Sequence, residues 1–160
     1  MSIRSIVGLA ACAVTLGGAA HAADFVTIPL ETTIDRPASV AWPKISGYCD
    51  IGAWLKTTCV VTSGKDGEMG AVRRIANRID ELLVAKTAWS YSYSQPKSPI
   101  DYHGTVEIRP VDKGHSKLIY TLVYDAEPLT SPEAKAADKD RRAKQFTAIL
   151  ATMKGIAEAK

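Results

Sequence analysis

The chain has 160 residues, 46% of them hydrophobic, and a formal net charge of +3. This length suits one domain with a substantial core, and the composition excludes an intrinsically disordered protein. The small charge, without a dense cluster of lysine and arginine, argues against a nucleic-acid-binding surface.

The start of the chain has the pattern of a cleavable export signal. Arg4 supplies a short basic start, and residues 6–20 are uncharged and rich in small and apolar side chains. The segment ends in a small-x-small cleavage motif at Ala22. We therefore predict a signal peptide at residues 1–22, a mature domain at residues 23–160 and a periplasmic location.

Two other interpretations of this segment are weaker. A transmembrane anchor would need about 20 strongly apolar residues, more than this stretch contains. A lipoprotein site at Cys12 would leave only about seven apolar residues before it. After cleavage we expect no membrane anchor.

Cleavage would leave two cysteines, Cys49 and Cys59. An even number in an oxidising compartment indicates a possible disulfide, which would stabilise the fold by about 2–3 kcal/mol. Two buried free thiols are the alternative, because sequence spacing alone does not bring two Cα atoms within bonding reach.

The mature chain is predicted to form strands, short helices, further strands and one long helix, in that order. Strands show two-residue alternation of apolar side chains, as where Tyr91 and Tyr93 alternate with serines, and turn residues separate them. The predicted strands are residues 25–34, 59–62, 71–76, 79–86, 89–94, 102–109 and 118–125. The predicted short helices, between the first two strands, are residues 38–46 and 51–55.

The last element is predicted to be a helix from Pro132 to about Ala157. Ser131 before a proline, with Glu133 in the first turn, is a strong helix start. The second half carries an apolar face that includes Phe146, Ile149, Leu150, Met153 and Ile156. The first half, residues 135–144, is charged, and we expect it to be mostly solvated.

These elements predict an α+β fold in which a meandering antiparallel sheet packs against one long helix. A single helix cannot cover every position of a broad curved sheet. Some inward-facing apolar side chains would then line a space between the helix and the sheet, which predicts a binding cavity.

The mature chain resembles the START-like (Bet v 1-like, or SRPBCC) superfamily, in particular its polyketide cyclase/dehydrase-type branch. The resemblance covers nearly all of the mature chain, and it rests on an ordered set of motifs rather than on any single one. The motifs are IDRPASVAW at residues 34–42, AWL at 53–55, GAVR at 70–73, EL at 81–82, PIDY at 99–102 and IRP at 108–110.

This resemblance implies a helix-grip fold, in which a curved seven-stranded antiparallel sheet surrounds a long C-terminal helix, with two short helices after the first strand. It also implies binding or carriage of lipids, polyketides or other apolar molecules, with enzymes in some branches. The connection between Arg73 and Glu81 is shorter than the family pattern. The resemblance therefore leaves open whether these two side chains point into the core.

Arg73 and Glu81 are the candidates for catalysis. The resemblance implies that an arginine and a glutamate at these positions bind or act on the polar end of a ligand. A buried guanidinium can hold a carboxylate or carbonyl, and a carboxylate can move a proton. The alternative is a structural ion pair, or two side chains that point away from the core.

Aromatic and helix residues are candidates for the remainder of a ligand site. Tyrosine and tryptophan offer a large contact area with one polar group each, although each of them is also a common core residue. The ligand-binding candidates besides Arg73 and Glu81 are Trp54, Tyr91, Tyr93, Tyr102, Tyr120, Phe146, Leu150 and Met153; Trp89 and Tyr124 are further aromatic candidates.

No cofactor is predicted. His103 and His115 do not form a metal set, and no cysteine and histidine residues have zinc-like spacing. The sequence has no phosphate-binding loop, nucleophile elbow or dinucleotide fingerprint.

Three functions remain open for the mature domain. The first is a periplasmic carrier of a small apolar or amphipathic molecule, which needs only the cavity. The second is a cyclase- or dehydratase-type enzyme that uses Arg73 and Glu81. The third is an accessory protein that binds a protein partner in a periplasmic oxidation system. The sequence favours the carrier and leaves enzymatic activity uncertain.

Overall fold

The computed structural model describes residues 23–160, so the predicted signal peptide lies outside the described residues. Strand β1 (Phe25–Ile34) is followed by helix α1 (Ala38–Ala41), a 3-10 turn (Trp42–Lys44) and helix α2 (Ile51–Leu55). The remaining strands are β2 (Cys59–Ser63), β3 (Val72–Ile75), β4 (Ile79–Lys86), β5 (Ser90–Ser94), β6 (His103–Pro110) and β7 (Ser116–Asp125). Helix α3 (Pro132–Glu158) completes the fold.

The seven strands form one antiparallel sheet in the order β1-β7-β6-β5-β4-β3-β2. From β2 to β7 each strand pairs with the next strand along the chain. The last strand, β7, also pairs with β1 along the full length of both strands. The predicted α+β helix-grip fold is therefore confirmed, with seven strands, one long helix and the two short helical segments after the first strand.

Alternation along the strands separates the core from the outer face of the sheet. In β7 every second side chain from Ser116 onward is buried, including Leu118 and Tyr120, and β6 repeats the pattern with Val106 and Ile108. Both inward-facing sets match the alternation in the sequence. They give the sheet a continuous apolar surface under α3.

Helix α3 begins as the sequence predicts. The Ser131 hydroxyl accepts a hydrogen bond from the backbone N–H of Ala134 at 3.1 Å, and Pro132 occupies the first turn. The buried residues of α3 all lie in its second half: Ile149, Leu150, Met153 and Ala157. Within residues 23–160 no helix combines the length and hydrophobicity of a membrane span.

The structure alters two details of the predicted elements. The helix predicted at residues 38–46 divides into α1 and a 3-10 turn, because Pro43 has no N–H to continue the helical hydrogen bonds. The connection between β3 and β4 is a tight hairpin in which Ala76 and Asn77 have positive φ angles of 50° and 56°. This hairpin directly pairs Arg73 with Glu81.

Candidate functional site

A buried ion pair lies on the inner face of the β3–β4 hairpin. The Nε and Nη2 groups of Arg73 donate to Oε2 of Glu81 at 2.8 and 2.6 Å. Arg73 is completely buried and Glu81 is 2% exposed. The Nη1 group of Arg73 also donates to the backbone carbonyl of Tyr48, and the Tyr48 hydroxyl donates to the Glu81 carbonyl at 2.9 Å. Both charges are therefore compensated inside the core.

Aromatic rings surround the guanidinium. Its Cζ lies 4.2 Å from the ring centroid of Tyr48, 5.0 Å from that of Tyr93 and 5.8 Å from that of Tyr91. Burial opposes the charge of Arg73, but Tyr91 and Glu81 outweigh it and raise the pKa of Arg73 above its usual value. Arg73 thus remains a cation that is enclosed by protein.

A cavity of about 280 Å³ lies between α3, α2 and the inner face of the sheet. Most of its lining is apolar or aromatic, with Glu81, Gln95, Arg142 and Gln145 as the charged and amide groups. The other lining residues are Ile51, Trp54, Leu55, Ile75, Ile79, Tyr93, Ile100, Tyr102, Tyr120, Phe146 and Ile149. Such a lining suits a small apolar ligand with a few oriented polar contacts.

The polar groups at the cavity are largely paired with one another. Oε1 of Glu81 accepts a hydrogen bond from Nε2 of Gln95 at 2.9 Å, so both carboxylate oxygens already have donors. The hydroxyls of Tyr93 and Tyr120 lie 2.7 Å apart, within hydrogen-bonding distance. Burial raises the pKa of Tyr93 and of Tyr120 well above the usual value, so both present neutral hydroxyls.

Arg142 joins the cavity wall from α3. Its Cζ lies 4.3 Å from the ring centroid of Tyr124 and 5.6 Å from that of Tyr102, and its Nε donates to Asp138 at 2.6 Å. The expectation that residues 135–144 are mostly solvated is wrong at this position. Arg142 precedes Phe146 by four residues and so shares its helix face, which is a signal that the sequence did contain.

The cavity brings together six of the ten predicted ligand-binding residues. Trp54, Glu81, Tyr93, Tyr102, Tyr120 and Phe146 line it. Arg73, Tyr91, Leu150 and Met153 are buried outside its lining, and Trp89 lies partly exposed beside β5. The geometry therefore gives Arg73 a positioning role, since it orients the carboxylate of Glu81 rather than facing the cavity.

Sequence reasoning missed several lining residues besides Arg142. Gln95 and Ile100 lie in the connection between the predicted strands at residues 89–94 and 102–109, and connecting residues carry no alternation that would indicate an inward side chain. Gln145 lies beside the apolar face of α3 and is itself exposed although it borders the cavity, so no apolar pattern marks it. Across residues 23–160 no three histidine, cysteine, aspartate or glutamate side chains converge as a metal site would require.

A disulfide joins Cys49 to Cys59, whose Cα atoms are 5.4 Å apart. Cys49 lies just before α2 and Cys59 begins β2, so the bridge encloses the helix that contributes Ile51, Trp54 and Leu55 to the cavity. The covalent link therefore fixes one wall of the cavity to the edge strand of the sheet.

Comparison with protein families gives a match over residues 26–158 to the family described as polyketide cyclase/dehydrase and lipid transport. The chain belongs to this family. The match spans the sheet, the cavity and α3, so the whole described fold is that of the polyketide cyclase/dehydrase and lipid transport family. No match was found among curated proteins.

Solved structures of the same fold come from several sources. A protein from Nitrosospira multiformis is 19% identical with a TM-score of 0.67, over 81% of this chain and 94% of its own. The Zhui aromatase/cyclase from Streptomyces sp. R1128 is 18% identical with a TM-score of 0.66, over 84% and 94%. Ara h 8.0201 is 15% identical with a TM-score of 0.59, over 83% and 97%. At these identities the likeness shows the fold alone.

Proposed function

We propose that this chain is an exported protein that binds and carries a small apolar or amphipathic molecule in the cavity under α3. The observation that carries the proposal is the cavity itself, with its mainly apolar and aromatic lining and a few paired polar groups. A family whose description includes lipid transport supports the same function.

Export is part of this proposal. The N-terminal pattern indicates cleavage after Ala22 and release into the periplasm. The disulfide between Cys49 and Cys59 supports this location, because disulfides persist in oxidising compartments and are rare in the cytosol. N-terminal sequencing of protein from a periplasmic fraction tests it; an intact Met1 in the cytosolic fraction would contradict it.

Native mass spectrometry tests the carrier function. The protein is purified from the periplasm without detergent, its mass is measured under native conditions, and any bound species is extracted into solvent and identified. We expect a discrete apolar molecule at near-stoichiometric occupancy. An empty protein that also refuses fatty acids, quinones and polyketide-like probes would contradict the proposal and direct the search to a protein partner.

A second candidate is a cyclase- or dehydratase-type enzyme, which one observation favours: the carboxylate of Glu81 lines the cavity. However, both of its oxygens already accept hydrogen bonds from Arg73 and Gln95, which suits an oriented structural group better than a free base. An enzyme predicts that Glu81→Gln abolishes turnover of a bound polyketide-like probe while binding persists. A carrier shows no turnover in either protein.

A further inference from the structure

Arg142 brings a charged group to the wall of the cavity. It lines the cavity from α3, and its side chain is 17% exposed. Its Nε group donates to Asp138 at 2.6 Å, whereas Nη1 and Nη2 complete no hydrogen bond within residues 23–160, and even the nearby Tyr124 hydroxyl stays unpaired. Neither Nη nitrogen is sealed from open space. The guanidinium therefore keeps four N–H protons for an acceptor from outside the protein.

A single carboxylate serves two arginines at this position. Asp138 accepts hydrogen bonds from both Arg141 and Arg142. The rings of Tyr102 and Tyr124 pack on the Arg142 guanidinium, and burial raises the pKa of both tyrosines, so neither adds a negative charge. Together the two guanidiniums and the carboxylate of Asp138 carry one positive charge in excess.

The other charged group in the cavity lining is already neutralised. Glu81 receives two hydrogen bonds from Arg73, which is buried in the core outside the lining. Glu81 and Arg73 therefore carry no net charge between them. The charge that the lining leaves uncompensated is positive and lies at Arg142, so the cavity attracts an anion and repels a cation.

The lining next to Arg142 is apolar. Phe146 follows Arg142 by about one turn of α3, and both line the cavity together with Ile149. The ring of Tyr120 packs edge-on against Phe146, with centroids 5.0 Å apart. A molecule with an anionic end and an apolar body contacts the cation and this apolar lining at once. The volume of about 280 Å³ restricts that body to a compact one.

A carboxylate is the anion that suits this position best. Its two oxygens accept parallel hydrogen bonds from a guanidinium, and such charge-assisted bonds are about twice as strong as those between neutral groups. A phosphate also pairs with arginine, but it carries up to two negative charges. One excess positive charge in a mainly apolar cavity does not balance them.

We propose that Arg142 selects a compact carboxylic acid, whose ionised carboxylate binds the Nη groups of Arg142 while its apolar body fills the cavity. This inference rests on the proposed binding function and adds the charge of the ligand and the residue that recognises it. The motifs that resemble the family end at residue 110, so Arg142 lies outside them. A neutral molecule of the same shape would leave the excess charge of Arg142 without a partner.

Three probes test the proposal by calorimetric titration of the purified protein at neutral pH. They are phenylacetate, which carries a carboxylate; phenylacetamide, its neutral isostere; and phenethylammonium, a cation of similar shape. We expect phenylacetate to bind at least about tenfold more tightly than phenylacetamide, as a charge-assisted hydrogen bond in a partly buried site implies. Phenethylammonium should show no measurable binding, because it would face the excess positive charge.

The variant Arg142→Met should lower the affinity for phenylacetate to that for phenylacetamide and leave the affinity for the amide unchanged. Arg141→Met is the matched control, because Arg141 shares Asp138 but its side chain is 59% exposed and does not line the cavity. This control should keep the full preference for the carboxylate. On the wild type, nuclear Overhauser contacts between the methylene protons of bound phenylacetate and the Arg142 side chain test the contact even if Arg142→Met fails to fold.

The outcomes separate this inference from the proposed function. Equal affinities of the wild type for phenylacetate and phenylacetamide would overturn the carboxylate assignment and leave the carrier function standing. A preference that Arg142→Met retains, or that Arg141→Met loses equally, would overturn the role of Arg142. If no probe binds, the molecule that co-purifies in native mass spectrometry decides: a carboxylic acid supports the assignment, and a neutral molecule overturns it. An empty protein that binds no probe would overturn both proposals.

Discussion

Gly104 allows Tyr93 to lie flat on the inner face of the sheet. The two residues are cross-strand partners in β6 and β5. A β-carbon at Gly104 would lie 2.6 Å from Cε1 of Tyr93 and closer still to its Cζ and hydroxyl. Because Tyr93 lines the cavity and bonds to Tyr120, the missing side chain at position 104 determines the position of both hydroxyls.

Gly104→Ala should push Tyr93 into the cavity and lower the free energy of unfolding by about 1–3 kcal/mol, the usual cost of overpacking. Gly155→Ala on α3 is the matched control, because a β-carbon there meets nothing within 4 Å. It should raise stability by about 0.5–1 kcal/mol. Urea unfolding measures both, and a Gly104→Ala variant as stable as the wild type would refute the packing argument.

The ion pair of Arg73 and Glu81 should be intolerant of losing one partner. Arg73→Met would leave a carboxylate buried without its counter-charge, which costs about 3–5 kcal/mol of unfolding free energy. Arg74→Met is the control on the same strand, because Arg74 pairs with Asp80 near the surface. This variant should lose far less unfolding free energy than Arg73→Met. Denaturant unfolding measures both variants. Equal losses of unfolding free energy would contradict the claim that burial makes the Arg73–Glu81 pair more important for stability than the surface pair.

At the scale of elements, the disulfide compensates for the shortness of α2. A five-residue helix has little stability of its own, yet α2 supplies Trp54 and two further residues to the cavity. Its position therefore depends on the Cys49–Cys59 bridge and on packing.

The double variant Cys49→Ser/Cys59→Ser should lose about 2–3 kcal/mol of unfolding free energy. It should also show faster amide hydrogen exchange in α2, with exchange in β6 and β7 altered less, because only α2 lies inside the bridged loop. The wild type under reducing conditions should behave in the same way. Unchanged exchange in α2 would mean that packing alone holds this wall.

The strand pattern could be predicted because β3, β5, β6 and β7 bury alternate side chains on one face. The same alternation places Arg73 on the inner face with Ile75, while Arg74 points away. The role of Arg73 could not be predicted from the pattern, because alternation fixes the face and not the depth. Whether an inward arginine lines a cavity or lies within the core depends on the tyrosines packed around it.

The six tyrosines of the chain are all buried, and they couple the stability of the whole molecule to alkaline pH. Burial raises the pKa of Tyr91 to about 12 and raises the pKa of Tyr93 and Tyr120 well above the usual value. In the unfolded chain a tyrosine has a pKa near ~10. The native state therefore holds its tyrosine protons more tightly than the unfolded state does.

Because the folded pKa values are raised, this stability is fully present below pH ~10 and is lost as pH rises towards the folded values. Ultraviolet titration should show tyrosinate in the native protein only as native circular dichroism disappears. The urea-unfolded protein, as control, should titrate near the usual value. Reversible ionisation of several tyrosines near pH ~10 in the folded protein would contradict the burial described here.

The cavity itself is a property of the whole molecule, and only its existence could be predicted. A single helix over a curved sheet leaves uncovered inner surface, which the sequence indicates through the apolar faces of its strands. Its volume depends on how closely α3 approaches the sheet, which Phe146 and Ile149 determine by packing rather than by pattern.

The central claim is that the cavity under α3 holds the ligand, and a cavity-filling variant tests it most directly. Ile149→Trp would place a large side chain in the space that Ile149 lines. Native mass spectrometry of the wild type and this variant, purified in parallel, measures how much small molecule each retains. We predict bound ligand in the wild type and none in a variant whose circular dichroism is native. A natively folded Ile149→Trp protein that retains the same ligand at the same occupancy would place the binding site elsewhere.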